Sequence, residues 1–234
     1  MNEINEKTQR DTLTDSGLTD FFIGIYKWMT VGVLMSGIFA YLVVEIGMFS
    51  FIFSNPIFMY GLIGIELVIM LGIQFLIKKL SPSLALWLFL IYASLTGITL
   101  SVIFYAYEIS SIIPTFAGAV ALFIALAYFG FTTKKFLASW GTFLSVSTFA
   151  IIFASLLNLF VFQNSIFDTL ISAVVLLVFS GLTMYDNQAY QSIYFSVKGN
   201  EDEEKRYTIL GALHMYINFI AIFQSLLNLF GSNE

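Results

Sequence analysis

Asp186, His214, Asn218 and Gln224 stand inside otherwise apolar sequence, and Glu66 stands in another such run. A carboxylate, an imidazole or a carboxamide is costly in hydrocarbon, so these side chains are expected to face protein or water rather than lipid. His214 and Asn218 are four apart and share one helix face. The chemistry within reach is movement of a cation or a proton along a polar seam. Each residue also has a structural reading. Asp186 can cap the inner end of its helix or snorkel to headgroups, because Thr169 to Asp186 already spans ~26 Å at ~1.5 Å per residue. Glu66 can be a protonated carboxyl bonded between helices or a third acid lining a pathway. His214 can be interhelical hydrogen-bond glue. Asp168 is expected at the outer rim near water, nearly neutral to substitution.

The elements that position these groups follow from composition. With 59% hydrophobic and 11% charged residues and a mean hydropathy of +0.88, the chain is a polytopic membrane protein. The formal charge of -5 resides mostly in the N-terminal tail and in Glu201 to Glu204, so nucleic acid is not implied. The sequence has no cysteine, which excludes disulfides and thiolate chemistry.

A bilayer core of ~30 Å needs ~20 apolar residues of helix. After a polar tail over residues 1–20, the sequence divides into seven such stretches: 21–45, 56–77, 84–106, 112–131, 140–162, 169–188 and 207–230. The transmembrane domain thus covers residues 21–231. Asn55-Pro56 and Ser81-Pro82 place a capping side chain before an N1 proline, and Pro114 falls in the first turn of the fourth span. Gly32, Gly37, Gly61, Gly64, Gly97 and Gly118 are expected to let helices approach closely. Glu201 to Arg206 reads as a solvated connector.

Seven crossings place Lys7, Arg10, Lys27, Lys78, Lys79, Lys134, Lys135, Lys198, Lys205 and Arg206 on one side, and these are all ten basic residues. The positive-inside rule then gives a cytoplasmic N-terminus and an external C-terminus.

Gly181-Leu-Thr-Met-Tyr-Asp-Asn-Gln188 resembles the Gly-Leu-Thr-x-Tyr-Asp-x-Gln signature of the transmembrane Bax inhibitor motif family, bacterial type. The segment from Gly211 onward resembles that family's Gly-Ala-Leu-x-Leu-Tyr-Leu-Asp-Phe-Ile-Asn stretch. Ser81-Pro-Ser, Tyr92-Ala-Ser-Leu-Thr-Gly97, Tyr128-Phe-Gly-Phe-Thr-Thr-Lys134 and Ala154-Ser-Leu-Leu-Asn-Leu159 match in the same order. The resemblance implies an all-α fold with six helices surrounding a central seventh, in the plasma (inner) membrane of a bacterium. It implies a pH-modulated calcium or cation leak, with calcium or protons as cargo and no cofactor. An alternative it also implies is a regulator that binds a membrane-anchored AAA protease through residues 1–20.

The sequence departs from the family at the chemistry. Asp186 aligns with the first acid of the family's pair, but Asn218 occupies the second position, and a carboxamide cannot carry the charge or share the proton. The family's arginine near the end of the second helix falls at or next to Leu76, with Lys78 and Lys79 the nearest bases. The expected site is therefore Asp186, Asn218, His214 and Glu66 for ion passage or pH sensing, with Asp186 as the calcium-facing group. The single histidine disfavours a His-rich metal site. No nucleophile motif, phosphate loop or second catalytic aspartate accompanies it, so an enzyme is not expected.

Overall fold

The computed structural model describes residues 16–133 and 137–232. Seven long helices follow one another: α1 (Ser16–Glu45), α2 (Pro56–Leu76), α3 (Pro82–Leu100), α4 (Ile109–Thr132), α5 (Ala138–Leu157), α6 (Ser165–Val197) and α7 (Glu201–Phe230). Short helices at Phe49–Phe53 and Ile103–Ala106 and a π-helical turn at Asn158–Phe162 join them. All seven are long and apolar enough to cross a membrane, and no strand occurs among the described residues.

The helix starts are built as the dipeptides require. The Asn55 side chain accepts hydrogen bonds from the backbone N–H groups of Ile57 and Phe58, and Ser81 accepts from Leu84. A proline follows each cap at the position where its missing N–H costs nothing. Pro114 differs from expectation. α4 begins at Ile109, so Pro114 lies inside the helix and the Ser110 carbonyl loses its regular helical donor.

Three boundaries move outward by five residues or more. α6 continues to Val197 and α7 begins at Glu201, so the expected connector Glu201 to Arg206 is helical. The cause is local. Asn200 caps the Glu203 N–H, Glu204 reaches back to the Gly199 N–H at 2.7 Å, and Lys205 pairs with Glu201 at 2.5 Å. Four acids in the first turn also complement the helix dipole. What remains between α6 and α7 is Lys198 to Asn200, turned by Gly199 at φ +93°. At the other end of the chain α1 starts at Ser16, inside the stretch read as tail, and Leu18 is already buried. Residues 1–15, which carry most of the proposed protease-facing tail, and Lys134 and Lys135 lie outside the described residues.

α7 is the most buried helix and packs against α6, α1, α4, α3 and α2, whereas α5 packs on α6. Lipid tails are as apolar as leucine, so such contacts hold through close fit rather than exclusion of water. Gly97 and Gly130 supply that fit: a Cβ on Gly97 would lie 2.5 Å from the Ser36 carbonyl oxygen of α1, and one on Gly130 the same distance from that of Met184 in α6. The expectation fails for Gly37, Gly61, Gly64 and Gly118, where a Cβ would meet nothing within 4 Å.

The two ends of the bundle are chemically different. Arg206 Nη1 donates to the Lys78 carbonyl at 3.2 Å, gathering the end of α2, the α6–α7 turn and the start of α7. At the opposite end the Ser232 N–H donates to Ser111 Oγ at 3.1 Å, and the Glu108 N–H donates to the Ser232 carbonyl. Lys78, Lys79, Lys198, Lys205 and Arg206 all belong to the first end.

Candidate functional site at the α6–α7 interface

Because so short a turn joins them, α6 and α7 run antiparallel in a fixed register. Asp186 faces Asn218, and one turn closer to the hairpin Tyr190 faces His214. Asn218 Nδ2 donates to Asp186 Oδ2 at 2.7 Å, and the Tyr190 hydroxyl lies 3.1 Å from His214 Nδ1. Two four-residue steps, one on each helix, thus meet rung for rung. Asp186 is 9% exposed and Asn218 3% exposed, so the pair lies within protein. Asp186 also lies well inside α6, which removes the end-capping reading.

Asn187, next to Asp186, turns toward α1. It accepts a hydrogen bond from the Tyr26 hydroxyl, and its Nδ2 donates to the Thr183 carbonyl at 2.7 Å. Gln188 accepts from the Leu137 N–H at 2.6 Å, and Gln191 donates to the Phe131 carbonyl at 3.0 Å. The Tyr-Asp-Asn-Gln run therefore distributes its side chains over α7, α1 and the α4–α5 connection.

Glu66 does not join this cluster. Thr96 Oγ1 donates to Glu66 Oε2 at 3.1 Å, while Oε1 is buried with no hydrogen-bond partner. The carboxyl borders a hollow of about 240 Å³ with Tyr92, Thr99, Tyr216 and Gln224. A second hollow, about 450 Å³, is lined by Ser155, Asp168, Ser172, Gln224 and Asn228 toward the C-terminal end. Ala221 and Gln224 border both. Asp168, expected at the outer rim near water, is exposed there and accepts from the Nδ2 of buried Asn158 at 2.5 Å. Among the described residues no three His, Cys, Asp or Glu side chains converge as a metal site.

Tyr26, Asn187 and Tyr190 escaped the sequence reading. Tyr190 lies four residues after Asp186, which was a usable signal, but one tyrosine among 12 does not distinguish itself without its partner.

Seven crossing helices with buried polar rungs between the last two define a multi-pass integral membrane protein. The family described as "Inhibitor of apoptosis-promoting Bax1" matches residues 18–234, and the chain belongs to this Bax inhibitor family. It is 34% identical over 221 residues to "Inner membrane protein YbhL" of Escherichia coli strain K12, covering 94% of each chain. It is 33% identical to an uncharacterized membrane protein of Streptococcus pyogenes serotype M3, over 95% of this chain and 97% of the relative. An uncharacterized protein of Borreliella burgdorferi is 34% identical over 92% of each chain.

Proposed function

We propose that the protein is a cation leak of an inner membrane, with calcium as cargo, and that the conformation described is closed. The observation that carries this reading is a pair of hollows that share Ala221 and Gln224 in their walls and hold Asp168 and Glu66. In series they set Asp168, Gln224 and Glu66 between the C-terminal end of the bundle and α2, and a leak would pass along them. Asn218 lies on α7 between Ile217 and Ile220, which border the inner hollow, and its bond with Asp186 is taken as the closed barrier. Asp168, Glu66 and Asp186 each offer hard oxygen without forming a cage, and single carboxylates in series suit passage rather than storage. The basic end faces the cytoplasm, which puts the hollows outside. Asn218 makes the barrier respond weakly to protons, since one carboxylate of the family's pair is replaced.

The test is calcium uptake into proteoliposomes loaded with a fluorescent indicator. The parent should exceed empty liposomes several-fold, Glu66→Gln should lower the rate, and Asp186→Ala should change it more than a substitution at exposed Leu177. Parent flux no greater than that of empty liposomes across pH would remove the leak reading.

A further inference from the structure

A groove of about 630 Å³ opens between α1 and α4, on the far side of α1 from the α3 contact at Gly97. Met29 and Val33 form one wall, Val120 and Ala127 the other, and Phe123 and Phe219 the floor. Phe219 fixes the floor by meeting Phe116 and Phe123 edge to face, with ring centroids 5.5 and 5.7 Å away. At the basic end the groove is closed by Phe22 against Phe131, 5.1 Å apart. Its rims, Leu34, Ile124 and Tyr128, are 61%, 62% and 66% exposed, so it opens sideways at hydrocarbon depth.

We infer that this groove holds one acyl chain of an anionic phospholipid from the leaflet at the basic end, with the headgroup phosphate drawn to Lys27. Three features select that occupant. The groove runs from Phe22 to Leu34 along α1, about 18 Å at ~1.5 Å per residue, close to the ~15 Å hydrocarbon depth of one leaflet. Its volume falls in the range of roughly 300–1,000 Å³ typical of ligand pockets, and carbon lines nearly all of it. Of its polar side chains, Tyr26 and Tyr128 lie in the half nearer the basic end and Thr30 just past the middle. Lys27 is one turn before Thr30 and two before Leu34 on the same face of α1. Its ammonium lies 5.6 Å from the Trp28 ring centroid, and it forms no ion pair among the described residues. A lysine stem at this depth snorkels toward the headgroups and places its charge beside a bound lipid's phosphate.

Occupancy bears on the α6–α7 interface, because Tyr26 both lines the groove and donates to Asn187. A chain pressed against Tyr26 would hold that bond in place, one residue from Asp186.

Native mass spectrometry of the full chain, titrated with phosphatidylglycerol or phosphatidylcholine, tests the assignment. One phosphatidylglycerol should be retained in preference to phosphatidylcholine. Thr30→Trp, which puts a ring into the groove from its exposed rim, should reduce retention several-fold. Lys27→Gln, which leaves the groove intact, should weaken phosphatidylglycerol binding about fivefold, the contribution of one lysine at an anionic surface. Leu177→Trp, on exposed α6 surface, should leave binding unchanged. Retention that survives both Thr30→Trp and Lys27→Gln, or phosphatidylcholine held as tightly as phosphatidylglycerol, overturns the inference.

Discussion

At Asn218 a single carboxamide stands opposite Asp186, and in the proposed leak this is where protons would act on the barrier. Its Nδ2 donates to Asp186 and bridges α6 to α7, and the carboxamide itself does not titrate. In Asn218→Asp two carboxylates occupy that rung, and two carboxylates so close cannot both ionise easily. Loss of their shared proton on raising the pH should push the helices apart. Calcium flux in the variant should therefore change more steeply between about pH 6 and 8 than in the parent, with the higher rate at the alkaline side. A steep transition already present in the parent, unmoved by the added acid, would place proton sensing elsewhere. The neighbouring rung predicts a different outcome. Tyr190→Phe removes the hydroxyl that meets His214 but keeps the ring, so it should cost about 0.5–1.5 kcal/mol of stability, read as a small fall in melting temperature in detergent. Part of this was legible from residue spacing alone. His214 and Asn218 were placed on one face by their four-residue step, but which residues of α6 they meet depends on the length of the intervening turn. Glu66 was grouped with them because all are polar residues in oily helices, a likeness of type that says nothing of distance.

Among the elements, the backbone approaches of α1 to α3 and α4 to α6 are set by Gly97 and Gly130, whereas Gly37, Gly61, Gly64 and Gly118 set none. Gly97→Val should therefore lower the melting temperature or the folded yield, since overpacking against backbone typically costs about 1–3 kcal/mol. Gly64→Ala, facing open space, should be neutral or raise it, because alanine is favoured over glycine in a helix by about 1 kcal/mol. Equal destabilisation by both would mean that contact distance is not what the melting temperature reads. Sequence alone found all seven spans, because hydropathy reports burial in the bilayer and the Asn-Pro and Ser-Pro caps mark two starts. It placed the ends of α6 and the start of α7 badly for the same reason. Hydropathy falls at the water boundary, whereas helical hydrogen bonding continues past it through Glu201 to Arg206, supported by caps and charge rather than by apolar residues. Gly97 and Gly64 look alike in sequence; only the neighbour tells them apart.

For the whole molecule, seven crossings require the chain ends to lie on opposite sides, and the described basic residues outside α1 mark one end. Reporter fusions should find a C-terminal tag outside and an N-terminal tag in the cytoplasm, as charge asymmetry of the loops dictates. A C-terminal tag reachable only from the cytoplasm would contradict this orientation.

The turn at Gly199 has a mechanical corollary. With only Lys198 to Asn200 between them, α6 and α7 have no slack with which to slide past each other, so the hairpin behaves as a pair of tongs with one pivot. Displacement then grows with distance from the pivot. The Asp186 rung lies about 20 Å along α6 from Gly199, so opening the tongs by about 3° moves its two sides apart by about 1 Å, enough to break a hydrogen bond. The Tyr190–His214 rung, about 14 Å from the pivot, moves only about 0.7 Å for the same angle, but it starts from 3.1 Å and so also passes hydrogen-bond distance. Both rungs would thus let go within the same few degrees, so the hairpin closes or opens as one catch.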